Sequence, residues 1–171
     1  MATHAVVRTD KMFGTDNRTG LWSFLFSTGT GNSKAPAAID NGNVVVLGSL
    51  VDGEREIYDA AAPTAAADLK SVVLVATPEM NYCPCNYAID QFENAAGVPA
   101  RGYSLTPGCI FSVTKDALSG AANPAVGNLV ELAAGTKLKV VASATSGSTQ
   151  VGKIIEIETV GRYTFYVIQV G

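Results

Sequence analysis

The chain has 171 residues and 17.7 kDa, with 16% charged and 47% hydrophobic side chains and a formal net charge of −3. Soluble domains usually carry about 25% charged residues. A composition this apolar argues against disorder and leaves much small, neutral surface, as on chains packed against neighbours and on Ala/Gly-rich extracellular domains. The acidic balance and the scattered Lys and Arg exclude nucleic-acid binding through a broad basic surface, and the longest strongly apolar run, near residues 72–76, is far below the ~20 residues that span a bilayer.

Met1-Ala2-Thr3-His4 shows no basic region followed by an apolar core, so no cleaved leader is expected. Residues 1–38 read as an extended arm, rich in Gly, Thr, Asn, Ser and Asp from Thr9 onward. Within it, Leu21-Trp22-Ser23-Phe24-Leu25-Phe26 places Trp22, Phe24 and Phe26 on one face when extended. An aromatic face in a polar arm has to be covered. Either the segment folds back as an edge strand on its own domain or it docks on a partner.

Residues 39–171 read as one β-rich domain. Asn41-Gly42-Asn43 is a turn signal before the β-branched run 44–51, and Asp52-Gly53 turns the chain into a second strand over 54–59, a hairpin pattern. Residues 60–68 form an Ala-rich link interrupted by Pro63, and 69–76 is a further strand. A helix is expected over 86–96, with an apolar stripe of Tyr87, Ile89, Phe92 and Ala96, a Gly97 cap and Pro99 beyond. Strands over 101–105 and 109–114 flank the Thr106-Pro107-Gly108 turn, and one helical turn is expected at 115–118. Strands over 128–133, 137–142, 151–160 and 163–170 complete the chain. This rhythm predicts a mainly β (α+β) fold, a small antiparallel barrel or sandwich with one short helix. In the last strand, Tyr163, Phe165 and Val167 alternate with Tyr166, Ile168 and Val170. Both faces are apolar, so the strand is either central or covered at an interface.

No catalytic set assembles from these residues. A Ser-His or Cys-His mechanism needs an adjacent base, and the one histidine, His4, reads as a surface imidazole. Glu54/Glu56 and Glu156/Glu158 read as solvated strand charges rather than a carboxylate pair for glycoside hydrolysis. Thr28-Gly29-Thr30-Gly31-Asn32-Ser33-Lys34 fails the phosphate-loop pattern, because Ser33 precedes the lysine and Ala35 follows it. Cys83-Pro84-Cys85 lacks the usual CxxC spacing of a metal site, and with Cys109 it reads as a set of small, semi-buried thiols. No cofactor and no metal are expected.

A set of sequence blocks carries a resemblance. These are Asn41-Gly42-Asn43 with the following apolar run and Gly53-Glu54-Arg55-Glu56; Val72, Leu74 and Val75 with Thr77-Pro78-Glu79-Met80-Asn81-Tyr82; and Phe92, Asn94-Ala95-Ala96-Gly97 with Pro99-Ala100-Arg101-Gly102-Tyr103. To these add Gly108, Ile110-Phe111-Ser112-Val113-Thr114, Val126-Gly127-Asn128-Leu129-Val130 and the closing Gly152-Lys153-Ile154-Ile155-Glu156. Over residues 39–170 the chain resembles head auxiliary proteins of tailed bacteriophages, known as decoration or cement proteins.

The resemblance implies a non-enzymatic virion protein on the capsid exterior, made in the bacterial cytoplasm. It would bind the major capsid protein and reinforce contacts between capsomers. It implies a homo-oligomer, a trimer by preference, with no nucleic-acid or membrane partner and no catalytic residue to carry over. A self-assembling phage subunit, from a tail tube or a minor capsid protein, is the alternative. Candidate capsid or subunit contacts are Leu21, Trp22, Phe24 and Phe26 in the arm, and Tyr166 and Ile168 in the two-faced last strand.

Overall fold

A computed structural model describes residues 4–9, 20–79 and 89–171. Strands dominate, in two six-stranded sheets. The first contains β1 (Leu21–Thr28), β2 (Ala35–Pro36), β3 (Val44–Leu50), β4 (Ile57–Ala61), β5 (Val72–Val75) and β6 (Ala100–Ser104). The order runs β2-β1-β4-β3-β5-β6, and β1 also pairs with β6, so five strands close into a barrel. The second is a curled half-barrel of β7 (Ile110–Thr114), β8 (Leu118–Gly120), β9 (Leu129–Glu131), β10 (Leu138–Val141), β11 (Gln150–Val160) and β12 (Tyr163–Val170), in the order β7-β12-β11-β9-β10-β8.

The apolar periodicity explains this two-layer arrangement. Val45, Val73 and Val75 point into the barrel with Phe24, Phe26, Ala60 and Ala100. Their neighbours Val44, Val72 and Leu74 point the other way, into a larger core shared with Phe111, Val130, Leu138, Val140, Ile154 and Ile168 of the curled sheet. β5 and the first two residues of β3 are thus buried on both faces, which is why they read as continuous β-branched runs rather than as alternating strands, whereas Gly48, Ser49 and Leu50 at the end of β3 are exposed. The two-faced strand β12 is central, lying between β7 and β11.

Closure of the barrel needs one small residue. At Gly102 a Cβ would sit 2.6 Å from Val73 Cγ2 and 3.1 Å from Phe24 Cε1, so glycine makes room for the Phe24 ring where β5, β6 and β1 meet.

Three expectations are corrected. The first concerns the arm. Over the described residues 1–38 is no separate extension: β1 pairs in parallel with β4 and antiparallel with β6, as an interior stave of the barrel and not an edge strand. The segment 4–9 adds to β7 through the Val7–Val113 bridge and buries Ala5, Val6 and Val7. The alternating aromatic face is covered by its own domain, because burying a large aromatic side chain stabilises by roughly 1.5–3 kcal/mol.

The second concerns the helix. In the described part of 86–96 only a 3-10 turn forms, at Ile89–Gln91. Asn94 instead pairs with Ile39, and its side-chain amide donates to the Ile39 carbonyl at 3.0 Å and to Asn41 Oδ1 at 3.1 Å. These tertiary hydrogen bonds outweigh an uneven apolar stripe. Residues 86–88, like Cys83 and Cys85, lie outside the described residues.

The third concerns His4, which is no free surface imidazole. Its Nδ1 lies 2.8 Å from Asp40 Oδ1.

Candidate contact surface

The six residues singled out as contacts divide by burial. Phe24, Phe26 and Ile168 are core, with 0%, 7% and 0% of their surface exposed, so they are not available to a partner. Trp22 is half-buried: its indole N–H donates to Ser104 Oγ at 2.8 Å, and its ring meets Tyr58 edge-on at 5.2 Å. Leu21 is exposed at the start of β1. Tyr166 is half-buried at the margin of the shared core.

Tyr166 leads to a surface that the composition did not single out. β11 has eleven residues, whereas its neighbour β9 has three and pairs only along 150–153. Beyond Ile154 a register shift occurs, and residues 156–160 pair with β12 alone among the described strands. β12 keeps β7 on its other side over 165–169, and Arg162 in the turn pairs with Asp90 at 2.6 Å. What is open is the outer edge of β11 over 155–160, about 20 Å long at 3.3 Å per residue over six residues.

The register puts Ile157 opposite Tyr166 and Val160 opposite Tyr163, so apolar side chains lie on both faces of the hairpin. Ile157 and Val160 are exposed. Glu156 is solvated, and Glu158 reaches Arg8 at 3.7 Å. Arg8 also lies over the Phe165 ring at 5.7 Å, so the N-terminal segment braces the hairpin near its turn. The legible signal for this surface was the unequal strand lengths: a ten-residue apolar-polar run at 151–160 outlasts the shorter strands predicted around it.

The other sequence features take structural roles. Glu54 and Glu56 are exposed on the loop before β4. Lys34, in the glycine-rich loop, pairs with Asp59. Cys109 is buried, with its sulfur 2.9 Å from the Thr106 hydroxyl.

One buried charge stiffens the body. The Glu131 side chain is 2% exposed and accepts from Lys139 Nζ and from the Thr145 N–H, each at 3.0 Å. Burial opposes its ionisation most strongly, but the Thr145 and Lys139 hydrogen bonds and the lysine charge together hold its pKa below the ordinary 4.5. Because the folded value is the lower one, the carboxylate adds stability that is complete above the unfolded pKa and is lost as pH falls through the folded one. Denaturant titration should show a wild-type advantage over Glu131→Gln that holds from neutrality down to about 4.5 and is lost as pH falls further. An advantage that stayed unchanged as pH fell further would contradict the ionised assignment.

Comparison with family models, with curated proteins and with solved structures finds no match.

Proposed function

We propose that this protein is a structural virion component that binds the outer surface of a phage capsid and reinforces contacts between capsomers. The observation that carries the reading is the open outer edge of β11 beyond Ile154. An open strand edge flanked by exposed apolar side chains is a template for strand addition or for packing onto another chain. The blocks that resemble head auxiliary proteins support it from the sequence side.

The two-sheet body, with β5 buried along its whole length between the two cores, is the platform for such a contact. Its partner is the major capsid protein, and trimers placed at or near three-fold positions would present several hairpins at once. Many weak contacts then add by multivalency. The neutral, charge-poor surface suits a protein that lies close to a dense shell. Nothing in this role requires a cofactor, a catalytic residue, nucleic acid or a membrane.

Co-sedimentation with expanded, undecorated shells of the parent phage tests the reading. The wild type should pellet with the shells. The double variant Ile157→Lys/Val160→Lys should lose about tenfold or more in affinity, as expected when apolar anchors in a contact are replaced by charges. Its circular dichroism and thermal midpoint should stay close to wild type, because both side chains are exposed. A wild type that stays in the supernatant would contradict the function. A double variant that binds equally well would contradict the hairpin's role in it. Light scattering of the purified chain separates the alternative: a monomer or trimer accords with decoration, rings or tubes with a tail-tube subunit.

A further inference from the structure

From the placement of three side chains we infer a binding site for a divalent first-row transition ion, of which zinc is the type. The site joins three distant parts of the chain: His4, Asp40 and Glu93. His4 Nδ1 lies 2.8 Å from Asp40 Oδ1 and 4.0 Å from Glu93 Oε2, and the ligand atoms all fall within 4.8 Å of one another.

An imidazole with two carboxylates is a donor set suited to zinc and its neighbours, whereas calcium and magnesium prefer oxygen donors alone. With metal–ligand bonds of about 2.0–2.2 Å, tetrahedral ligands stand roughly 3.3 Å apart. Binding therefore needs His4 and Asp40 to part by about half an ångström and Glu93 to close by somewhat more. The ion takes the place of the hydrogen bond between Nδ1 and Oδ1: neutral His4 binds it through Nδ1 as the tautomer that carries its proton on Nε2. Water completes the coordination shell.

Each ligand is held by backbone contacts that do not involve the ion. The His4 N–H donates to the Asp90 carbonyl at 2.9 Å. Asp40 Oδ2 accepts from the Ala5 N–H at 3.3 Å, which leaves Oδ1 to face the site. Glu93 precedes Asn94, whose backbone exchanges two hydrogen bonds with Ile39, the residue before Asp40. The Glu93 side chain is half exposed, so an ion has a way in. An ion here fastens the N-terminal segment, which lies along β7 of the curled sheet, to the loop that enters the barrel at β3. It is a staple between the two sheets.

Isothermal titration of the full, EDTA-treated chain with zinc chloride tests this. One ion should bind per chain, and zinc at 100 times its dissociation constant should raise the thermal midpoint by about 5–10 °C. Glu93→Gln, which keeps the shape of a half-exposed side chain, and His4→Ala should each weaken binding at least about tenfold. Cys83→Ser/Cys85→Ser should bind as the wild type does. No binding by the wild type, or equal binding by Glu93→Gln and His4→Ala, would overturn the site, as would loss of binding in the cysteine variant alone.

Discussion

Replacing Phe24 with alanine should lower the free energy of unfolding by about 4 kcal/mol, and removing residues 1–38 should abolish cooperative unfolding altogether. Phe24 is fully buried inside a barrel of five strands. The space it fills has been shaped around it, since Gly102, beside its ring, has no side chain of its own. Alanine would leave a cavity that Val73 and Ala100, held on paired strands, close only in part. The deletion is worse in kind. It removes β1, so β4 and β6 lose the strand that joins them, and it removes the buried segment Ala5-Val6-Val7 from beside β7. Chemical denaturation followed by Trp22 fluorescence measures the point variant, and near-ultraviolet circular dichroism the deletion. A truncated protein with native-like tertiary signal would show that the segment is an accessory arm after all.

Gly152→Ala should cost about 3 kcal/mol, through overpacking that the backbone cannot relieve. A Cβ there would lie 2.0 Å from the Gln169 carbonyl oxygen and 2.8 Å from its carbon. At Gly102 the nearest atoms belong to side chains, which can turn aside; at Gly152 they belong to the neighbouring strand. Residue 152 pairs with Val170 on β12 and with Val130 on β9, beside the irregularity that separates Gln150 from it. Accommodating a methyl group would pry β11 from β12 where the hairpin is rooted. The same variant should therefore lose shell binding together with stability, unlike Ile157→Lys/Val160→Lys, which should lose binding alone. A Gly152→Ala protein as stable as wild type in urea would mean the hairpin root is looser than this packing implies.

Much of the fold was legible because the local signals were strong. Strands β3, β5, β11 and β12 stand where β-branched and alternating runs predicted them, and the turns at Gly42, Gly53, Gly108 and Gly161 all take positive φ. The barrel closure was not legible. β1 and β4 pair in parallel across a connection that contains β2 and β3, and no local pattern encodes such a pairing. The Asn94–Ile39 bridge likewise joins residues 55 apart, and a weak helical stripe has no means of reporting it. For the contact residues, an apolar alternation by itself does not separate a strand covered by its own sheet from one covered by a partner. Phe24 and Ile168 turned out to be the former. Ile157 and Val160 differ because the strand outruns its neighbour β9, a property of the sheet rather than of the residues.

Cryo-electron microscopy of the parent virion tests the central claim most directly. The account predicts density for a two-sheet β body outside the capsid shell, at the seams between capsomers, with residues 155–166 turned toward the shell. A shell with no such density, or the same body found stacked in the tail tube, would contradict it.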